Sequence, residues 1–274
     1  MSAKHSSGLA EVNGAQLYYE MRGSGPSALF IPGATGDAGH FEPIAEMLSD
    51  EFTVLTYDRR GNSRSPRPED WGSTSPAEHS DDAAALIDAL GVAPTTVFGT
   101  SSGAIISLDL VLRHPDVVRG AILHEPPMAT VVSNPEETLS PLQEAVQRGM
   151  QEGGPPQAIE AFFRLVAGDE AFENLDVRLR ERMLSNAETF FGTEFGVFEP
   201  YRPDDATFQT VKVPVQVMAG SDSAPLFVEA SRWCADQLNV ELNTLPGAHT
   251  PYFDRPEETA DTLRPLLRQL SGYR

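Results

Sequence analysis

Ser101 stands in the pentad Gly99-Thr100-Ser101-Ser102-Gly103, between a β-branched run at residues 95–98 and an apolar-periodic segment at 104–112. That spacing predicts a strand, a sharp turn and a helix, with the Ser101 hydroxyl lifted clear of the backbone at the turn. The glycines are needed because side chains there would strike the adjoining strand and helix, and Ser101 itself is expected in a strained φ/ψ region. A serine hydroxyl is a weak nucleophile at neutral pH. It needs a base within hydrogen-bonding reach and a third group that fixes the tautomer of that base. Gly and Ser are also ordinary turn residues, so the pentad takes its meaning from its partners.

Of the six histidines, His249 is the candidate base. It lies in Leu245-Pro246-Gly247-Ala248-His249-Thr250-Pro251-Tyr252, a turn beyond the last predicted strand. That places it on the carboxyl edge of the sheet, where Ser101 is also expected. Other histidines have plainer readings: His5 in a polar terminus, His79 in a loop or first helical turn, His40 opening a helix, and His114 at a helix end that favours a cation. Two carboxylates could orient His249. Asp222 follows a strand predicted at 213–219, Glu125 follows one at 119–123, and both keep the chain order nucleophile, acid, histidine. Order alone leaves both open, with Asp222 also readable as a helix N-cap and Glu125 as a solvated loop residue. The negative charge that forms on a substrate carbonyl needs two amide donors. Ser102 N–H, at the start of the helix, is one. Ala34 N–H, in the loop Pro32-Gly33-Ala34-Thr35-Gly36, is the expected second, although that loop also reads as a plain turn. Gly33 and Tyr252 are expected to line the substrate site.

These residues need a scaffold that carries distant segments to one edge. Asn13-Gly14 separates two short strands at 9–12 and 16–21, as a tight hairpin turn does. Apolar runs at 28–32, 52–57 and 95–99 are short enough for buried parallel strands, and helical patterns at 41–48 and 76–90 lie between them. Ser75-Pro76 supplies a cap and a first-turn proline for the second helix. Such alternation implies a parallel sheet with crossover helices. From 126 to 210 the rhythm is replaced by helical stretches at 142–151, 156–166 and 177–190, dense in Phe162, Phe163, Leu165, Phe190, Phe191, Phe195 and Phe198. Most of these are expected to pack the helices onto the main domain, and some to roof an apolar pocket. Strands at 213–219 and 240–245 and helices at 225–238 and 256–270 then resume the alternation. The expected organisation is a core of 1–125 and 211–274 with a helical cap inserted at 126–210.

Composition narrows the partners. A formal charge of −20 over 274 residues repels phosphate backbones and anionic lipid, which argues against nucleic-acid and membrane-surface roles. With Cys234 as the single cysteine, the chain holds neither an intramolecular disulfide nor a cysteine-only zinc site. No apolar run in the first ten residues has signal-peptide length and none elsewhere has spanning length, so a cytoplasmic protein is expected, with a homodimer left open.

The chain resembles the α/β-hydrolase superfamily over nearly its whole length. The pentad carries the resemblance together with Tyr57-Asp58-Arg59-Arg60-Gly61-Asn62-Ser63-Arg64-Ser65, which is similar to the family's turn after the fourth strand, and with 214–222, similar to the strand that usually delivers the acid. Pro32-Gly33 stands where a His-Gly pair is common, and Ser223 stands where many members carry the acid, with Asp222 one place early. A narrower resemblance rests on Gly-Thr-Ser-Ser-Gly-Ala at 99–104, His124-Glu125-Pro126, and the Leu245–Tyr252 turn, and it is to the fungal zearalenone lactonases. In that family a glutamate after the sixth strand is the triad acid, which implies Glu125. The implied fold is a mostly parallel sheet of about eight strands flanked by helices. The implied reaction is ester or lactone hydrolysis through an acyl-enzyme on a small apolar substrate, with no metal or organic cofactor. Relatives that open epoxides or carbon–halogen bonds need a carboxylate at the place of Ser101. Alternatives on the same scaffold are a cofactor-free perhydrolase or lyase, and a small-molecule receptor that retains the triad.

Overall fold

The computed structural model describes residues 5–272. The chain opens with a hairpin of β1 (His5–Val12) and β2 (Ala15–Arg22), and Asn13 and Gly14 between them take φ of 44° and 73°. Two positive φ values in succession give a turn whose twist matches that of the strands. Six further strands follow: β3 (Ser27–Ile31), β4 (Thr53–Tyr57), β5 (Thr95–Thr100), β6 (Val118–His124), β7 (Val215–Gly220) and β8 (Leu242–Leu245). One eight-stranded sheet results, in the order β1-β2-β4-β3-β5-β6-β7-β8. The pairs β1/β2 and β2/β4 are antiparallel and all others parallel, the mostly parallel sheet of about eight strands that the resemblance implies.

Helices α1 (Glu42–Leu48), α2 (Pro76–Ala89) and α3 (Ser102–Arg113) lie in the first half of the chain. Ser75 caps α2 by accepting a hydrogen bond from Glu78 N–H at 3.1 Å. Between β6 and β7 come α4 (Pro135–Gly153), α5 (Pro155–Ala167), α6 (Asp169–Glu173), α7 (Val177–Ser185), α8 (Ala187–Thr189) and α9 (Asp205–Phe208). Then α10 (Pro225–Leu238), α11 (Pro251–Asp254) and α12 (Pro256–Ser271) complete the chain. Successive strand residues serve opposite layers. Leu29 and Ile31 pack with Ile105 and Leu108 of α3 and Ala230 of α10, whereas Ala28 and Phe30 pack with Ile44 and Leu48 of α1 and Leu263 of α12.

Two helices of the insertion depart from the sequence pattern. α4 starts at Pro135 and not at 142, capped by Asn134, and carries Pro141 in its interior. The single helix expected at 177–190 is instead α7, α8 and a π-helical turn over Phe190–Glu194. A third hydrophobic cluster binds these helices: Ile159, Phe162, Phe163, Phe172, Met183 and Phe190, with Ala34 of the core joining it. Leu165 lies outside it and is 49% exposed.

Candidate active site

Register brings the chemistry to one edge of the sheet. Ile31 on β3 faces Gly99 on β5, and Thr100 faces His124 on β6, so three strands end at one level. Ser101 N–H then donates to His124 C=O at 2.9 Å, and Glu125 N–H donates to Met218 C=O at 3.2 Å. The strand-to-helix turn puts Ser101 at φ 55°, ψ −131°, a region that non-glycine residues avoid, and Glu125 too has a left-handed φ of 54°. Gly99 and Gly103 allow the turn: a Cβ on the first would collide with the Gly103 carbonyl and Ser107, and one on the second with the Ile31 carbonyl.

His249, 3% exposed, places Nδ1 2.5 Å from Glu125 Oε2, and the second carboxylate oxygen accepts Gly220 N–H at 2.6 Å. Phe227 of α10 stacks on the His249 ring with centroids 3.6 Å apart and planes at 13°. With Nδ1 engaged and one ring face covered, Nε2 is the nitrogen left to act. Burial pushes the Glu125 carboxyl up, and its hydrogen bond with His249 more than offsets that, bringing it down to about 2. His124 is itself fully buried, and burial lowers it to about 4 against the pull of Glu125. The ring is therefore neutral at pH 7, and the hydrogen bonds from His249 and Gly220 are what hold Glu125 ionised. Ser223 Oγ faces this carboxylate but lies outside hydrogen-bonding geometry.

Asp222 is placed differently. Its side chain is exposed and forms no hydrogen bond or ion pair with His249, while its amide donates to Gly247 C=O at 2.9 Å. Nor does it cap α10, whose N-cap residue is Ala224. Glu125, conversely, is wholly buried and no solvated loop residue. His114, at the end of α3, pairs with Asp81 at 2.6 Å, and His79 is buried in the first turn of α2 against Arg59. His40 is buried in a 3-10 turn over Ala38–Phe41 that precedes α1.

Ser101, Ser102 and Ala34 share a small apolar cavity of about 60 Å³, roofed by Phe162, Phe190, Phe195 and Phe198 and walled by Leu226 and Phe227. Several of the insertion's phenylalanines thus do both things at once, packing the helices and facing the cavity. Gly33 lies on the other side of Ser101, in a narrow recess shared with His249 and Tyr252. Ala34 N–H donates to no acceptor among the described residues. Ser102 N–H opens α3, where an intrahelical partner is absent by geometry. Neither His124, just past the strand predicted at 119–123, nor Phe227, within the helix predicted at 225–238, carries a sequence signal for its place against His249. Among the described residues no group of three or more His, Cys, Asp or Glu could hold a metal ion, and no helix is long and apolar enough to cross a membrane.

A family model described as alpha/beta hydrolase fold matches residues 26–256. An uncharacterized hydrolase of Bacillus subtilis, YraK, is 34% identical over 271 residues, covering 96% of this chain and 97% of its own. A zearalenone hydrolase of Cladophialophora bantiana is 30% identical over 264 residues, covering 90% and 91%. Among solved structures, a thermophilic esterase from Thermogutta terrifontis superposes with a TM-score of 0.74 at 22% identity, over 98% of this chain and 99% of that one. The catalytic edge, the sheet order and the matched span agree: the chain belongs to the α/β-hydrolase fold family and is a hydrolase of that type, with a resemblance to zearalenone hydrolases.

Proposed function

We propose that the protein is a serine hydrolase of small apolar carboxylic esters or lactones, acting through an acyl-enzyme. The observation that carries this reading is the Glu125–His249 hydrogen bond at 2.5 Å, next to a serine held at a strained strand-to-helix turn. Ser101 Oγ attacks the carbonyl carbon while His249 Nε2 takes its proton, and Glu125 stabilises the imidazolium. Ala34 and Ser102 N–H groups receive the oxyanion. Collapse expels the alcohol oxygen, which takes the proton back from His249; in a lactone that alcohol stays tethered to the acyl group. Water, deprotonated by His249, then attacks the acyl-enzyme and frees Ser101. Residues 1–125 and 211–274 make the core of this enzyme, and 126–210 a cap that sets which substrates enter. The apolar cavity and the resemblance to zearalenone hydrolases support a lactone or aryl ester over a charged substrate. The test is covalent labelling of Ser101 by a fluorophosphonate, followed by turnover of p-nitrophenyl esters and of a macrocyclic lactone panel. Labelling with turnover is expected. A serine that resists the reagent would overturn the reading and leave a receptor or another reaction class.

A further inference from the structure

We propose that Arg59 and Glu194 are positioning residues that aim the Ala34 N–H into the oxyanion site, so that this donor is set only when the helical insertion is docked. The inference rests on the serine-hydrolase reading above and starts from one peptide plane. In a trans peptide the C=O and the following N–H point in opposite directions. The direction of Ala34 N–H is therefore fixed by whatever holds Gly33 C=O. That oxygen accepts Gly36 N–H at 3.1 Å across the loop and Arg59 Nη2 at 2.9 Å. Arg59 also donates its own backbone N–H to Gly36 C=O at 2.7 Å, so one residue grips the loop at two points. The loop lies beside the nucleophile: a Cβ built on Gly33 would stand 3.3 Å from Ser101 Oγ.

The Arg59 guanidinium is itself immobilised. Its side chain and that of Glu194 are both 0% exposed, joined by Nη2–Oε2 at 2.7 Å and Nη1–Oε1 at 3.0 Å. Asn62 Nδ2 donates to Glu194 Oε1 at 2.9 Å. Glu194 closes the π-helical turn of the insertion, 135 residues along the chain from Arg59. A buried ion pair is weak support for stability as such, since desolvation offsets most of the attraction, whereas a planar two-point clamp fixes direction. If the insertion lifts, Glu194 leaves with it and Arg59 keeps its charge without its clamp. Gly33 C=O is then held firmly only by the Gly36 amide, and its plane, with Ala34 N–H, gains room to turn.

Two variants test this with the full-length protein: Glu194→Gln, and the double variant Arg59→Met/Glu194→Met, which replaces the pair by apolar volume. Turnover of p-nitrophenyl butyrate and inhibition by a trifluoromethyl ketone, which forms a tetrahedral oxyanion on serine, are measured beside thermal unfolding. Expected is a kcat loss of roughly 30-fold, short of the roughly 100-fold or more from deleting an oxyanion donor outright. KM should stay within about twofold, and the inhibitor should weaken by the same factor as kcat, which a purely structural role would not produce. Folded variants with unchanged kcat, or a kcat loss without weaker inhibition, would overturn the proposal. Failure of both variants to fold would make the pair a stability device and overturn it equally. An inactive, unlabelled parent would instead sink the serine-hydrolase reading, so the two failures are distinguishable.

Discussion

A Cβ at residue 33 would stand 2.7 Å from Ser101 Cβ, too close for either group to keep its place. Gly33→Ala should therefore lower kcat by at least about tenfold while the protein stays folded, read from ester turnover beside a thermal melt. At the acid the contrast is sharper. Glu125→Ala should cost roughly several-thousand-fold in turnover, as when a triad histidine loses its orienting carboxylate, and Asp222→Ala less than about twofold. Ser101 and His249 are legible in the sequence because each sits in a short local pattern. Chain order leaves the acid open, since two strands deliver a carboxylate to the same edge, and only the resemblance at His124-Glu125-Pro126 points to Glu125. Burial and one hydrogen bond separate Glu125 from Asp222, and neither is written in spacing.

At the scale of elements, α10 and α4 set what reaches the serine. Leu142, Leu226 and Phe227 line the cavity at Ser101 on one side and, on the other, an open groove that extends to His249. These three side chains form the partition between them. Leu142→Ala should raise kcat/KM for bulky aryl esters relative to p-nitrophenyl acetate by about tenfold, the lower end of what one methylene-sized contact is worth. A competition assay over an ester size series reads the ratio, and an unchanged ratio would remove Leu142 from the partition. The strands and the core helices are legible from period and length, because short apolar runs bounded by turns alternate with helical patterns. The insertion was legible only as helical. Its π-helical turn and its grip on Arg59 depend on contacts across 135 residues, which no local pattern encodes.

For the whole molecule, acid is the natural stress. Burial lowers His40 to about 4, with Asp37 opposing and Arg59 and Arg182 assisting, and it lowers His124 to the same value. His79, also buried, is held well below its ordinary value. The unfolded chain takes up these protons near pH 6.5, whereas folded His40 and His124 take theirs up only near 4, so stability falls as pH drops from about 6.5 towards 4. Glu125 adds loss of the same sign further down, as its carboxyl titrates near 4.5 unfolded and about 2 folded. Urea unfolding should show a lower free energy at pH 5 than at pH 7. His40→Phe, in a site already walled by Phe163, Tyr252 and Phe253, should lessen that drop. An unchanged pH dependence would mean that His40 takes up its proton at the same pH folded and unfolded.

Ser223, facing the Glu125 carboxylate from the end of β7, carries a lesson for redesign. The ends of β6 and β7 address a single point in space, so the carboxylate is a portable part and not the property of one strand. A chain with Glu125→Gly and Ser223→Asp would relocate the charge without moving the histidine, and recovery of turnover over Glu125→Gly alone would measure how interchangeable the two anchor points are. Lineages built on this sheet could exchange one anchor for the other through an intermediate that carries both.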